Sequence, residues 1–357
     1  MSLASMGWDE HRAREFEPWV RKPGVEPGRV VIEFNHIFRV LVATGEIEVS
    51  TSGRLKHRAS SRSELPAVGD WVAVRRREGQ HSGDIVAVLP RRSWFSRRAA
   101  GNVTGEQVVA ANVDVAFIVM GLDADFNLRR LERYLILARE SGASPVVLLT
   151  KTDLVADLAV PLTEVAAVAG DFPVHALSPR RNEGLDQVLA YLTPGRTAAL
   201  LGSSGVGKTT IINRLVSDDL RPTREVRGSD SRGRHTTTHR ELVTLPGGGL
   251  LIDTPGMREL QLWDVGEAVK ETFEDIEAMA SECRFTDCRH RDEPRCAVKT
   301  AVADGRLDAS RFESYLKLQD EVAVLGRQQD ERAQLEEKRR SKVSTRVVKA
   351  HLKSKRG

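Results

Sequence analysis

Cysteine is scarce: three residues in 357, all between positions 283 and 296. That excludes a disulfide scaffold and points to a reducing compartment, the cytoplasm. Long apolar runs are missing as well, although 40% of the residues are hydrophobic, so no membrane-spanning helix is expected. The first ten residues are polar and mixed, without the apolar stretch of a secretory leader. Neither charge sign dominates, since 54 Lys and Arg face 50 Asp and Glu for a net of +4. The distribution is uneven, however. Residues 331–357 carry ten Lys and Arg against three Glu, a surplus of seven, which leaves −3 for everything before them. Such a tail can bind nucleic acid and order on contact, or it can be a solubilising end. The length suggests two or three domains.

Gly202, Ser203, Ser204, Gly205, Val206, Gly207, Lys208 and Thr209 follow the pattern G-x-x-x-x-G-K-[ST]. Glycines let successive backbone N–H groups turn inward around phosphates, Lys208 reaches the outer phosphates, and the Thr209 hydroxyl is a Mg²⁺ ligand. The flanks suit the motif. The apolar run at 197–201 reads as a buried strand, and Thr210 onward reads as a helix with Ile211, Ile212 and Leu215 on one face. Further on, the apolar run at 250–252 leads into Asp253-Thr-Pro-Gly256, 45 positions after Lys208. Asp253 stands where a carboxylate supports Mg²⁺, and the Gly256 N–H can meet a γ-phosphate. The polar stretch between them holds Gly233-Arg-His-Thr-Thr-Thr238. It reads as a switch loop in which Thr237 would ligate Mg²⁺, or as an ordinary surface loop.

A base-reading element precedes the phosphate loop. Thr150, Lys151 and Asp153 end the apolar run 146–149. The Asp153 carboxylate can accept from both guanine N1–H and N2–H₂, a donor pair that adenine lacks. Lys151 can lay its stem along the base. Thr150 stands where Asn is usual. Phe172-Pro-Val-His-Ala-Leu177 reads as the last base-facing element, with His175 in place of Ser and Ala176 offering its N–H to the guanine O6; a plain strand end is the other reading. The base-reading pair thus comes first and the phosphate elements second. Circular permutation explains this, because the same strands can fill the same sheet positions when new termini are opened.

Cys283, Cys288, His290 and Cys296 fall within 14 residues. Three thiolates and one imidazole make a closed tetrahedral set, structural rather than catalytic, and zinc is the expected ion. Arg284, Arg289, Arg291 and Arg295 make this loop basic, which suits RNA. Residues 1–27 are rich in Pro, Arg and Glu and are expected to be flexible. Residues 28–100 contain about five short strands, which fit an OB-fold or a small SH3-like barrel. Arg75–Arg77, Arg91, Arg92, Arg97 and Arg98 with Trp71, Trp94 and Phe95 would be phosphate contacts and stacking platforms, or a solvated surface over core aromatics.

On the permuted order, the GRHTTT stretch, DTPG and the Cys₃His element, the chain resembles the RsgA family, the ribosome-small-subunit-dependent GTPases, over about residues 28–320. The resemblance implies an α/β multidomain protein. Its parts would be an OB-fold barrel at 28–100, a circularly permuted GTPase at 108–265, a helical zinc domain at 266–320 and a basic tail at 321–357. It further implies GTP hydrolysis with Mg²⁺, one structural Zn²⁺, and a partner in the small ribosomal subunit and its rRNA; a monomer is expected. The residue after DTPG is Met257, where many GTPases place a water-orienting Gln, so intrinsic turnover should be slow. His235 would then position the water, as is suggested for the family's loop, or it has a structural or RNA-facing role. A nucleotide-gated RNA chaperone and a P-loop ATPase are the alternative readings.

Overall fold

The computed structural model describes residues 2–34, 37–77, 79–98, 106–217, 240–253, 269–270, 272–324 and 327. The polar start of the chain, expected to be flexible, contains a capped helix. Asp9 accepts from the Arg12 N–H at 2.8 Å and opens α1 (Glu10–Val20). Phe16 and Arg12 on this helix are buried, and Trp8 packs edge-on against both Phe16 and Trp71. Two aromatics and one arginine anchor a helix whose composition reads as disorder. Its stability comes from docking rather than from periodicity.

Five strands follow: β1 (Val25–Phe34), β2 (Ile37–Val42), β3 (Gly45–Thr51), β4 (Trp71–Arg76) and β5 (Ser82–Val88). Their order is β1-β2-β3-β5-β4, and β4 returns to pair with β1. The β3–β5 pairing is parallel and the others are antiparallel. This closed circuit is the OB-fold arrangement. A register shift between Val30 and Ile32 bends β1 so that it serves two partners. Val30, Phe38, Val40, Ile47, Val72, Val74 and Ile85 fill the interior. Helix α2 (Gly53–Arg58) lies between β3 and β4, capped by Ser52. The barrel's strands stop at Val88. β6 (Trp94–Arg98) and β7 (Glu106–Ala111) form a separate antiparallel pair.

The central sheet contains β8 (Val115–Gly121), β9 (Ser144–Thr150), β10 (Val174–Ala176), β11 (Thr197–Leu201), β12 (Arg240–Thr244) and β13 (Leu250–Asp253). The order is β10-β9-β8-β11-β13-β12, parallel except for β12. Crossover helices are α3 (Leu128–Ser141), α4 (Ala159–Ala169) and α5 (Leu185–Leu189), and α6 (Lys208–Val216) follows the phosphate loop. Leu131, Tyr134, Leu135 and Ala138 share the buried face of α3. Asn127 caps its N-terminus, and Gly142 ends it.

Barrel and central sheet are continuous. Barrel strand β1 also pairs with β12, Ile32 opposite Glu241 and Glu33 opposite Arg240, so eleven strands form one sheet. Glu33 and Arg240 add an ion pair at 2.6 Å. Arg29 sits at the joint, 2% exposed. Its guanidinium donates to the carbonyls of Gly69, Met6 and Asn112, and to Thr197 Oγ1 at 2.8 Å. Burial lowers it to about 10, opposed by the charges of Asp114 and Asp70, so it stays cationic at neutral pH. A buried charge with this many acceptors is compensated, whereas removal of one partner would leave an unmet donor.

The second compact unit comprises Leu262–Gly357. It contains α7 (Glu274–Ala280), α8 (Ala297–Ala303) and a helix at 309–324, α9. Phe273, Ile276, Val298, Ala301, Leu307, Tyr315 and Leu318 are buried in it. The basic segment 328–357 lies outside the described residues. Among the described residues no helix is long and apolar enough to cross a membrane.

Candidate functional site

β11 is fully buried and delivers the phosphate loop at its carboxyl end. Gly202 turns out of the strand at φ +143, where a Cβ would lie 2.3 Å from the Val119 carbonyl oxygen. No other residue fits there. Gly207, at φ +102, opens α6. Ile211 and Leu215 bury the inner face of that helix, which fixes where its N-terminal amides point. Lys208 curls over the loop and donates to the carbonyls of Gly202, at 2.6 Å, and Ser203. Ser204, Gly205, Thr209 and Thr210 are exposed. Tyr134 of α3 hydrogen-bonds Ser203, and burial raises its phenol above the ordinary value.

β9 lies two strands from β11, with β8 between. Thr150 ends β9 completely buried, and its hydroxyl donates to the Val206 carbonyl at 2.6 Å. Thr150 is therefore a strut between the base-reading strand and the phosphate loop, which accounts for a hydroxyl residue at this position. Lys151 adopts a left-handed conformation, φ +62, and pairs with Asp123 at 2.5 Å. The Lys151 ammonium lowers the Asp123 carboxyl. Asp153 accepts from the Ser178 hydroxyl at 2.7 Å, and this bond holds its carboxyl below the ordinary range, helped by Arg181 and Arg180.

That contact shifts the register of the last base-facing element. Ala176 is the final residue of β10, opposite Leu149, and His175 bonds the Tyr191 hydroxyl at 2.8 Å. The residue that reaches Asp153 is Ser178, two positions beyond Ala176. Ser178, and not His175, is thus the residue in contact with Asp153. A strand end reads the same at either register. The Ser following Leu177 was the available signal. Asp123, Tyr134 and Ser178 were not anticipated, because each acts across a distance in sequence that no motif spans.

Asp253 ends β13, next to β11, and Thr209 lies in the first turn of α6. A carboxylate and a hydroxyl suit a hard cation such as Mg²⁺. His235, Thr237 and Gly256 lie outside the described residues.

In the second unit the ligand atoms of Cys283, Cys288, His290 and Cys296 lie within 4.8 Å of one another. Cys283 Sγ is 3.9 Å from Cys296 Sγ, and His290 Nδ1 is 3.6 Å and 3.3 Å from these two sulfurs. A tetrahedral ion with metal–sulfur bonds of about 2.3 Å separates its sulfurs by roughly 3.8 Å, so the group can hold a metal ion. Without a cation, burial and the neighbouring thiols push Cys288 up to about 11. Cys296 accepts from the Lys299 N–H at the start of α8.

The barrel's basic and aromatic residues are mostly engaged. Trp71 and Phe95 are buried. Arg76 pairs with Glu26, Arg77 with Asp84, Arg91 with Asp70 and Arg92 with Asp9. Arg91, held by the buried Asp70, is committed to that pair, whereas the more exposed pairs of Arg76, Arg77 and Arg92 hold them only weakly. Trp94 remains exposed and borders a groove of about 570 Å³ with Trp19, Arg54 and Arg58.

A parallel sheet with a phosphate loop and a guanine-type carboxylate at nearby strand ends, in permuted order, defines a circularly permuted P-loop GTPase. The RsgA GTPase family model matches residues 88–263. The small ribosomal subunit biogenesis GTPase RsgA of Opitutus terrae is 51% identical over 92% of both chains. Its namesake from Syntrophotalea carbinolica is 41% identical over 98% of this chain and 97% of its own. Among solved structures, YjeQ from Thermotoga maritima superimposes with a TM-score of 0.62 at 27% identity, covering 84% of this chain and 99% of its own. YloQ, a circularly permuted GTPase, gives 0.59 at 26%, covering 85% and 97%. The chain belongs to the RsgA family of GTPases.

Proposed function

We propose that this GTPase acts in biogenesis of the small ribosomal subunit, binds its rRNA, and hydrolyses GTP under the subunit's control. The observation that carries the guanine reading is the pair of bonds Ser178–Asp153 and Thr150–Val206. The first orients a carboxylate for a donor pair that only guanine presents. The second ties that element to the phosphate loop, so one ligand must satisfy both. This disfavours an ATPase, whose base would leave Asp153 unmatched. The names of the relatives and the basic tail support the ribosomal partner.

In the proposed reaction, Gly202–Thr209 binds the phosphates, and Lys208 neutralises charge on the β–γ bridge. Thr209, Asp253 and Thr237 would hold Mg²⁺, whose chemistry is to offset phosphate charge. His235 orients the attacking water, and Gly256 meets the γ-phosphate. Asp153 and Lys151 hold the base. The Cys₃His group carries zinc as a structural ion, and the protein works as a cytoplasmic monomer. The groove beside Trp94, with Arg54 and Arg58, is the RNA-facing part of the barrel.

GTP turnover with and without purified small subunits, at two salt concentrations, tests this reading. Stimulation that weakens with salt is expected. No stimulation would remove the ribosomal partner, and preference for ATP would remove the guanine reading. Metal analysis of the purified protein should find one zinc per chain, lost in Cys296→Ser.

A further inference from the structure

The loop that follows β10 departs from what a guanine O6 ordinarily meets. After Ser178 comes Pro179, which has no N–H to give. The next amide is that of Arg180, and among the described residues it donates to no backbone carbonyl. The loop is closed on itself: Ser178 N–H bonds the Glu183 carbonyl at 3.1 Å, and the N–H groups of Arg181 and Glu183 return to the Ser178 carbonyl. Its outer rim is held from elsewhere. Arg214, in the last turn of α6, donates through Nε to the Pro179 carbonyl at 3.2 Å. This is the helix whose first turn carries Lys208 and Thr209. Arg214 is half-buried and links the phosphate helix to this loop.

We propose that Arg214 is a positioning residue for base recognition, holding Pro179 so that the Arg180 N–H reads the guanine O6. This rests on the guanine reading above. The 2-amino edge of the base belongs to Asp153, which Ser178 orients independently. Two edges of one base are thus set by two separate supports, and they can be probed apart. Inosine diphosphate lacks the 2-amino group, whereas 6-thioguanosine diphosphate keeps it and replaces O6 by a weaker acceptor.

The test is competition of GDP, inosine diphosphate and 6-thioguanosine diphosphate against a fluorescent GDP on the full-length protein. In the native chain both analogues should bind more weakly than GDP. Arg214→Ala should weaken GDP about fivefold, the cost of one misplaced hydrogen bond. It should narrow the gap between GDP and the 6-thio analogue by a similar factor and leave the gap to inosine diphosphate unchanged. Arg214→Lys, which keeps a donor for the Pro179 carbonyl, should recover most of the loss. Equal weakening of all three ligands, or unchanged GDP affinity, would overturn the proposal, and thermal melting separates either result from unfolding. Failure of the native chain to prefer GDP over ADP would instead defeat the guanine reading itself.

Discussion

The two halves of the nucleotide site are built differently. The phosphate half is one continuous segment, 202–209, whose conformation is set by its own glycines, the strand before it and the helix after it. The base half is assembled from Asp123, Thr150 to Asp153, and Ser178, tied by side-chain hydrogen bonds across as many as 28 positions. Local geometry makes the first robust and easy to read. The second depends on three elements reaching the same edge of the sheet, so small displacements separate its parts.

Lys208→Ala breaks the local half and should have the largest effect, a loss on the order of 10²-fold or more in kcat/KM measured by phosphate release. Asp153→Asn breaks the assembled half at its centre. It should cost on the order of 10²-fold in GDP affinity by titration, while affinity for the xanthosine nucleotide rises, because the new amide donates where the carboxylate accepted. Thr150→Val tests the strut between the halves. It leaves the Val206 carbonyl without its 2.6 Å donor and should weaken GDP about five- to tenfold and destabilise by about 1–2 kcal/mol in denaturant unfolding. If Thr150→Val changed neither quantity, the halves would be independent.

Ser178→Ala should have a smaller effect, about threefold in GDP affinity, with Asp153 still present but less well oriented. The pH dependence is the subtlest. The Asp153 carboxyl lies below its ordinary value of 3.8, chiefly because Ser178 donates to it. Binding needs the ionised form, so the ratio of native to Asp153→Ala affinity, in which titration of the GDP phosphate cancels, should hold constant through neutral pH and fall only as the carboxylate is protonated below its ordinary range. Ser178→Ala removes the bond that lowers the Asp153 carboxyl, so its pKa rises and the fall moves to higher pH, which NMR titration of Asp153 can follow.

This difference explains which parts were legible. The phosphate loop and the Cys₃His group are short spacings of chemically committed residues, and both appear where expected. The strand before Ser178 carries no mark of where its hydrogen bonding ends, so the contact of Ser178 with Asp153 is not legible in the sequence. Trp71 and Arg91 look like a nucleic-acid surface in one dimension. In three, Trp71 packs under Trp8, and Arg91 is spent on Asp70. The helix Glu10–Val20 was hidden for the converse reason, since its composition is polar and its partners are distant.

The sequence by itself determined the chemistry available: a phosphate cradle, a carboxylate for guanine, a four-ligand metal group and a permuted order. Only the tertiary structure decided that Thr150 is a strut, that Ser178 donates to Asp153, that β4 returns to β1 to close the barrel, and that β1 and β12 join barrel and GTPase sheet. Residue type dictates which bonds a side chain can make. Which of them it does make depends on the partners that the fold brings within about 3 Å.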